Sequence, residues 1–233
     1  MRVRVGTSGF SYDAWKGTFY PPGLKSADRL RHYAARFPSV EINNTFYRMP
    51  SSELLARWHD ETPAEFVFVL KAPQRITHRE RLAGCEESLS RFFENAAALG
   101  PKLGPTLFQL PPNLKKDTPR LEAFLGLLAG RRAAFEFRHA SWMDEEVRSL
   151  LRAHGAALCT ADLDDSESDA PLVSTADWGY LRLRRADYSG EALLAWAARL
   201  RAPAWREAYV FFKHEVKGPA LAAQLAAACA ADP

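Results

Sequence analysis

The chain has 233 residues, of which 47% are hydrophobic and 25% are charged, which is the composition of an ordinary globular protein. Its 31 Lys and Arg residues against 28 Asp and Glu residues leave a formal charge of +3, too small to indicate nucleic-acid binding from composition alone. This length is enough for one sizeable core, so we expect a single domain over residues 1–233.

The cysteines do not indicate a disulfide framework or a thiolate zinc site. Cys85, Cys159 and Cys229 are widely spaced, odd in number and form no C-x-x-C pair, which fits a reducing compartment. No apolar signal segment precedes the first predicted strand, and no apolar span of 18 residues occurs. We therefore expect a cytoplasmic protein that does not enter a membrane.

Hydrophobic periodicity predicts strands that alternate with helices along the chain. The first strand, at 3–6, is followed by a long loop at 7–23 that is rich in Gly, Pro and aromatic residues. An acidic stretch at 163–177 predicts an irregular crossover between the sixth and seventh strands. The other predicted strands are 40–43, 66–71, 106–110, 133–138, 156–162, 179–184 and 208–213. The predicted helices are 26–37, 52–61, 86–99, 119–129, 144–153, 190–201 and 219–230.

Alternating strands and helices indicate an α/β fold with a parallel sheet. Eight such units in a chain close to the usual size, about 250 residues, favour a closed TIM-type (β/α)8 barrel over an open sheet.

The polar residues of the predicted strands share one face. Successive side chains of a strand alternate, so Phe135 and Phe137 lie on one face of the fifth strand, and Glu136 and Arg138 lie on the other. In a barrel, the apolar face packs against the helices and the polar face points inward. The same alternation brings together Glu41, Asn43, Lys71, Gln109, Glu136, Arg138, Asp162, Arg182, Arg184 and Lys213.

These residues lie at or near the carboxyl ends of the strands, where barrel enzymes have their active sites. For Glu136 and Arg182 a second interpretation stays open, an interior ion pair that fills one layer of the barrel, because buried charges need partners whether or not they do chemistry. Arg138 and His139, nearer to the rim, are the better candidates for ligand contacts.

Aromatic residues follow several of the predicted strands. Rings above a charged floor suit a sugar, a base or another flat ligand. The alternative is that the rings pack against each other and hold the long loops. The residues concerned are Tyr12, Trp15, Phe19, Tyr20, Phe46, Tyr47 and Trp142.

His78, His139 and His214 come just after the third, fifth and eighth strands, where a general base or a metal ligand would lie. With the nearby carboxylates of Glu41, Glu136 and Asp162 they could form a divalent-metal site. No H-E-x-x-H spacing occurs, and the cations Lys71, Arg138 and Arg182 would repel a metal. A bound divalent metal therefore stays an open alternative that is not favoured, and no residue is assigned as a metal ligand.

Five short motifs resemble the YecE-like proteins, the domain-of-unknown-function 72 family. They are GTSGFSY (6–12), VEINNTFYRMP (40–50), FVLKAP (68–73), LFQLPP (107–112) and EFRHASW (136–142). The resemblance implies a TIM-type barrel that is related in shape to the xylose isomerase and apurinic endonuclease barrels. It implies no established activity.

The final third of the chain departs from the family pattern. The resemblance implies His-Gly near Arg184 and Arg185, and paired Asn near Lys213 and His214, and this chain has neither. If those positions serve the site, this chain has altered them, and the second to fifth strands are the more dependable part of the site prediction.

The leading hypothesis is an enzyme that binds a small anionic or phosphorylated, sugar-like molecule at the barrel mouth, with no reaction type assigned. A nucleic-acid-binding or repair protein and a non-enzymatic binding protein are the alternatives, and cofactor and oligomeric state stay open. The candidate catalytic residues are Glu41, Glu136, His139 and His78. The candidate ligand-binding residues are Asn43, Lys71, Gln109, Arg138, Arg182, Tyr12, Trp15, Tyr47 and Trp142.

Overall fold

The computed structural model describes residues 1–163 and 172–231. The described chain contains eight strands, which are β1 (Arg2–Thr7), β2 (Ser39–Ile42), β3 (Val67–Lys71), β4 (Leu103–Gln109), β5 (Ala133–Glu136), β6 (Ala157–Asp162), β7 (Trp178–Leu183) and β8 (Glu207–Phe212). Its α-helices are α1 (Arg29–Ala34), α2 (Asn44–Tyr47), α3 (Ser52–Asp60), α4 (Glu86–Ala96), α5 (Thr118–Leu127), α6 (Glu145–Ala153), α7 (Gly190–Arg201) and α8 (Gly218–Ala230). The predicted alternation of strands and helices is confirmed.

All strand pairs are parallel, and the sheet order is β1-β8-β7-β6-β5-β4-β3-β2. The two ends of this sheet meet beyond the last residues of β1. Ser8 forms a parallel bridge with Glu41, and the Gly9 backbone N–H donates to the Glu41 carbonyl at 2.7 Å. The sheet is thus a nearly closed (β/α)8 barrel, as the sequence predicts.

Side-chain alternation separates an inner from an outer layer in this barrel. The inner cluster contains Val69, Leu107, Cys159, Tyr180 and Phe211, all buried. The larger outer cluster lies between the strands and the helices and holds the alternate strand positions together with the apolar helix faces. The pattern explains why the buried strands read as nearly continuous apolar runs, since both of their faces are covered.

Side-chain caps fix where four of the helices begin. Ser51, Asp117, Asp144 and Ser189 each accept a hydrogen bond from a backbone N–H of the first helical turn, at 3.0 to 3.3 Å. Such a cap contributes about 1 kcal/mol of helix stability. These helices follow β2, β4, β5 and β7, so the caps also set the lengths of the loops at the carboxyl end of the barrel.

Several boundaries differ from the sequence-based ones. The predicted helix at 26–37 is a 3-10 turn, Ser26–Asp28, followed by α1. The predicted strand at 133–138 ends at Glu136, because its pairing with β6 covers only Ala134 and Phe135, so Arg138 lies beyond the strand. A π-helical turn, Arg75–Arg79, follows β3.

Residues 164–171 of the predicted crossover at 163–177 lie outside the described residues. Within the described chain, β7 follows directly after residues 172–177. None of the helices that the structure describes is both long and apolar enough to cross a bilayer.

Candidate functional site

Arg182 is the centre of a buried polar network at the carboxyl end of the barrel. Its side chain is 1% exposed and points inward from β7. One guanidinium nitrogen, Nη2, donates to Glu41 Oε1 at 2.9 Å, and the other, Nη1, donates to Glu136 Oε2 at 2.6 Å. Weaker hydrogen bonds run to Asn43 Oδ1 and Gln109 Oε1, each at 3.3 Å. Residues from β2, β4, β5 and β7 therefore meet on one side chain.

The Glu41 carboxylate is fully buried and surrounded by donors. Ser8 Oγ donates to Oε1 at 2.6 Å, Tyr180 OH donates to Oε2 at 2.5 Å, and Asn43 Nδ2 donates to Oε1 at 3.1 Å. Burial alone would raise the pKa of the Glu41 carboxyl. The charge of Arg182 and the donated hydrogen bonds outweigh burial and hold this pKa below its ordinary value. Glu41 is thus an ionised carboxylate at neutral pH.

Three arginines surround Glu136, which is 1% exposed. Besides Arg182, Arg138 forms an ion pair with Oε1, and Arg184 Nη1 lies 3.6 Å from the same oxygen. Arg138 and Arg184 lie nearer to solvent, with side chains 23% and 19% exposed. Glu136 cannot neutralise all three guanidinium groups, so this side of the mouth carries excess positive charge.

Lys71, the last residue of β3, is buried, and its ammonium forms no hydrogen bond or ion pair in the described part of the chain. Its Nζ lies 3.9 Å from the centre of the Phe46 ring. Burial, and then the charges of Arg182 and Lys213, lower the pKa of the Lys71 ammonium to about 8, while the charges of Glu41 and Glu136 act in the opposite direction. A measurable fraction of this lysine is therefore the neutral amine near neutral pH.

Lys213 and Arg184 add further positive charge at the same mouth. Burial, followed by the charges of neighbouring guanidinium groups, lowers the pKa of both side chains. Lys213 faces Arg184 and Arg182 and forms no ion pair with a described residue. The Arg184 Nη1 and Arg138 Nε atoms are buried and donate to no acceptor that the structure describes. Because the Arg138 and Arg184 side chains are also partly exposed, a ligand at the mouth could contact them.

His78 lies beside Lys71. Its ring packs edge-on against Phe46, with ring centres 4.9 Å apart, and its Nδ1 is 2.8 Å from Thr77 Oγ1. Burial, and then the charge of Lys71, lower the pKa of the imidazole. His78 is therefore mostly neutral at pH 7, with Nε2 uncommitted among the described residues.

The other two candidate histidines have local structural contacts. His139 Nδ1 accepts from the Ser141 backbone N–H at 3.1 Å and contacts Ser141 Oγ at 2.8 Å, which orders the turn after β5. His214 Nδ1 accepts from the backbone N–H groups of Val216 and Lys217, and its Nε2 contacts the Ala186 carbonyl. No contact among the described residues joins either imidazole to the network around Arg182. The catalytic role of His139 stays a prediction.

Two of the aromatic candidates are buried in packing contacts. Trp15 is 0% exposed, donates from Nε1 to the Glu215 carbonyl at 2.7 Å and packs against four other rings. Trp142 is 1% exposed, stacks on Phe137 and donates to the Leu114 carbonyl. These rings hold the loops, which is the alternative considered above, and neither offers a face to a ligand.

Tyr12 and Tyr47 are more accessible. Tyr12 OH donates to the Ser8 carbonyl at 2.6 Å, and its ring lines a cavity of about 130 Å³ together with Asn43. Tyr47 is 73% exposed and packs edge-on against Phe46 at the rim of a second cavity, of about 320 Å³. Both positions allow ligand contact, and this role stays a prediction.

The expectation that Asp162 points into the barrel is wrong. Within β6, Ala157 and Cys159 point into the barrel, and side chains alternate along a strand, so Asp162 points outward. It pairs in register with Leu183, an outer-layer residue, and its carboxylate accepts hydrogen bonds from Arg185 Nε and Tyr188 OH. Asp162 is therefore not part of the mouth.

Sequence reasoning missed two residues of the network, Ser8 and Tyr180. Both follow from strand alternation. Tyr180 lies two positions before Arg182 on the inward face of β7, and Ser8 extends the inward face of β1 past Gly6. Continuing the alternation of side chains past the end of β1 would have placed Ser8 on the inward face, next to the site.

No group of three or more His, Cys, Asp or Glu side chains within residues 1–163 and 172–231 is arranged to hold a metal ion. Glu41 and Glu136 have Arg182 between them, and the candidate histidines lie in separate loops.

The fold and the site together define a (β/α)8 barrel protein with a cation-rich polar mouth at the carboxyl ends of its strands. The chain belongs to the family described as "Protein of unknown function DUF72", whose model matches residues 4–233. The family membership that the sequence motifs indicate is therefore confirmed.

Two relatives, from Escherichia coli and Bacillus subtilis, match part or most of the chain. The UPF0759 protein YecE of Escherichia coli K12 is 33% identical over 154 residues, which cover 64% of this chain and 54% of that protein. The chain thus spans about half the length of that relative. The UPF0759 protein YunF of Bacillus subtilis 168 is 28% identical over 211 residues, which cover 84% of this chain and 74% of YunF.

Solved structures of the same family match over nearly the whole chain. A DUF72 family protein from Thermotoga maritima has a TM-score of 0.81 and 29% identity, covering 97% of this chain and 98% of its own. A DUF72 family protein from Enterococcus faecalis V583 has a TM-score of 0.80 at 20% identity, covering 99% of this chain and 96% of its own. Both have the barrel fold.

Proposed function

We propose that the protein is an enzyme that binds a small anionic or phosphorylated, sugar-like ligand at the carboxyl-end mouth of its barrel. The observation that carries this proposal is a charge imbalance among the described residues. Five cations surround two carboxylates, the cations being Lys71, Arg138, Arg182, Arg184 and Lys213, and the carboxylates Glu41 and Glu136.

The cations differ in their availability to a ligand. Arg182 is committed to Glu41 and Glu136, so it is the fixed floor of the site. Arg138 and Arg184 share Glu136 and keep buried N–H groups that lack acceptors. A phosphate or carboxylate that contacts these partly exposed side chains would supply the missing negative charge, and planar guanidinium groups bind such anions through paired hydrogen bonds.

The candidate proton-transfer groups also differ. The Glu41 oxygens already accept four hydrogen bonds, from Ser8, Asn43, Tyr180 and Arg182, so Glu41 acts by holding Arg182 in position. His78 has a neutral imidazole and an uncommitted nitrogen beside Lys71. His78 is therefore the favoured general base, because its protonation state at neutral pH suits proton acceptance.

Thermal denaturation in the presence of matched ligand pairs tests the anionic ligand. Sugars and their phosphate esters are compared at equal concentration. The phosphate esters should raise the melting temperature because they bind the folded state only, and the neutral sugars should not. Arg184→Gln should lose most of this shift. Arg206→Gln is the matched control, since the Arg206 side chain is 87% exposed and far from the mouth in its ion pair with Asp177.

Equal stabilisation of wild type and Arg184→Gln, or none by any anion, would contradict the proposal. Turnover of a stabilising ligand, measured by product formation, separates an enzyme from the non-enzymatic binding alternative. His78→Gln should then lower kcat with little effect on ligand-induced stabilisation. The nucleic-acid alternative stays a prediction, and salt-dependent binding to single-stranded or abasic DNA would support it instead.

A further inference from the structure

Lys71 differs from the other lysines of the described chain in being buried without a polar partner. Lys102 is also buried, but its Nζ donates to the Thr62 carbonyl at 2.7 Å. Lys116 and Lys217 form ion pairs with carboxylates. Lys213 also forms no ion pair with a described residue, but it is less buried than Lys71.

The surroundings of Lys71 keep its amine available. Its Nζ contacts the Phe46 ring, and the charges nearest in effect are Arg182, Glu41, Glu136 and Lys213. Both carboxylates are committed to Arg182, so neither forms an ion pair with Lys71. A lysine that is desolvated and set among other cations is the usual form of an activated amine nucleophile.

We propose that Lys71 is a nucleophile that forms an imine with a carbonyl group of the ligand, so that the substrates of this site are anionic aldehydes or ketones. This inference rests on the proposed function, because the arginines at the mouth must hold the anionic group while Lys71 reaches the carbonyl carbon. Lys71 is the last residue of β3, whereas Arg138 follows β5 and Arg184 follows β7, so the mouth lies between the amine and the anion-binding groups.

The covalent step balances without a cofactor. The neutral Lys71 amine attacks the carbonyl carbon, a C–N bond forms, and the carbonyl electron pair moves to oxygen. A proton leaves nitrogen and one is added to oxygen, giving a carbinolamine. Protonation of its hydroxyl and loss of water then give the protonated imine. His78, which packs against the same Phe46 ring, is the group that can accept and return the proton.

Pyridoxal 5′-phosphate serves as the probe, because one molecule carries both an aldehyde group and a phosphate group. The full-length protein is treated with a limiting amount, reduced with borohydride and digested, and the labelled lysines are located by mass spectrometry. Lys71 should be labelled at least about tenfold faster than exposed Lys25, with a rate that rises as pH passes through about 8. Inorganic phosphate should protect Lys71 and leave Lys25 unaffected.

Matched variants make the outcome decisive. Lys71→Arg keeps the positive charge but removes the nucleophile, so it should still be stabilised by phosphate and should lose the fast label. In the control variant Lys25→Gln, Lys71 should still be labelled rapidly. Phosphate stabilisation together with labelling that is no faster at Lys71 than at Lys25 would overturn the imine and leave the proposed function standing. Absence of any phosphate effect on the wild type would overturn both.

Discussion

Arg182 and Glu41 are 141 positions apart in the chain and form a buried ion pair at 2.9 Å inside the barrel. The pair joins β7 to β2, and the second nitrogen of the same guanidinium joins β7 to β5 through Glu136. Because these three strands lie around the barrel and not side by side, a single side chain ties its walls together at the level of the site.

Replacement of Arg182 by Met should destabilise the protein strongly. Glu41 and Glu136 would remain buried without their cation, and the loss of one partner of a buried pair costs about 3–5 kcal/mol. The free energy of unfolding in urea measures this loss. Adding Glu41→Gln and Glu136→Gln to the same chain should restore part of it, because the uncompensated charges are then gone.

Arg206→Met is the control for Arg182→Met. The Arg206 pair with Asp177 is 3.5 Å long and exposed, so its removal should change stability by less than about 0.5 kcal/mol. If Arg182→Met were as mild as Arg206→Met, the network would not hold the barrel as described.

Glu41→Gln should change the pH dependence of stability. The pKa of Glu41 is lowered from 4.5 in the folded protein, so the folded state binds fewer protons than the unfolded state in acid. Its contribution is present above the unfolded pKa and is lost as pH falls through the folded pKa. Urea unfolding of wild type and Glu41→Gln should therefore differ most at neutral pH and converge in acid. A constant difference would contradict this sign.

Glu207 holds a separate ion-pair network at the amino end of the barrel. It accepts from Arg4 Nε at 2.6 Å, Arg132 Nη1 at 2.9 Å and Tyr209 OH at 2.9 Å, with its side chain 17% exposed. Glu207→Gln should lower the free energy of unfolding by about 1–3 kcal/mol, since charge-assisted hydrogen bonds are lost. Asp177→Asn, at the exposed pair with Arg206, should have almost no effect, and an equal loss in both would contradict the assignment.

Gly6 allows β1 and β2 to approach each other where the barrel closes. A Cβ at this position would lie 2.2 Å from the Ser39 carbonyl oxygen, which is backbone and cannot move aside alone. Gly6→Ala should therefore be strongly destabilising in thermal denaturation. Gly126→Ala, in α5, meets nothing within 4 Å and should stabilise by up to about 1 kcal/mol. Tolerance of Gly6→Ala would mean that the strands can separate freely there.

Strand alternation allowed much of the barrel and its polar floor to be predicted. Glu41, Glu136 and Arg182 each alternate with apolar neighbours, and parallel strands bring their carboxyl ends to one edge. The same reasoning placed Asp162 on the wrong face of β6. The inward-facing residues of this strand include Ala157 and Cys159, which are small and apolar, so the sequence does not show which face points inward.

The loops could not be predicted in the same way. An aromatic residue after a strand can turn toward the mouth or back onto the helices, and spacing does not distinguish these directions. Trp15 and Trp142 turn into the core because their indole N–H groups find backbone carbonyls in Glu215 and Leu114. Lys71 lacks an ion pair because Glu41 and Glu136 pair with Arg182 instead. Strand alternation does not predict this pairing, which depends on the three-dimensional positions of the side chains.

Calorimetric titration with inorganic phosphate tests the anion-binding mouth most directly. The wild type should bind with an affinity that decreases as salt is added, and Arg184→Gln should bind at least about tenfold more weakly, a loss of about 1.4 kcal/mol. Arg206→Gln should bind as the wild type does. Absence of binding to the wild type, or equal affinity in the wild type and Arg184→Gln, would contradict an anion site at the carboxyl end of this barrel.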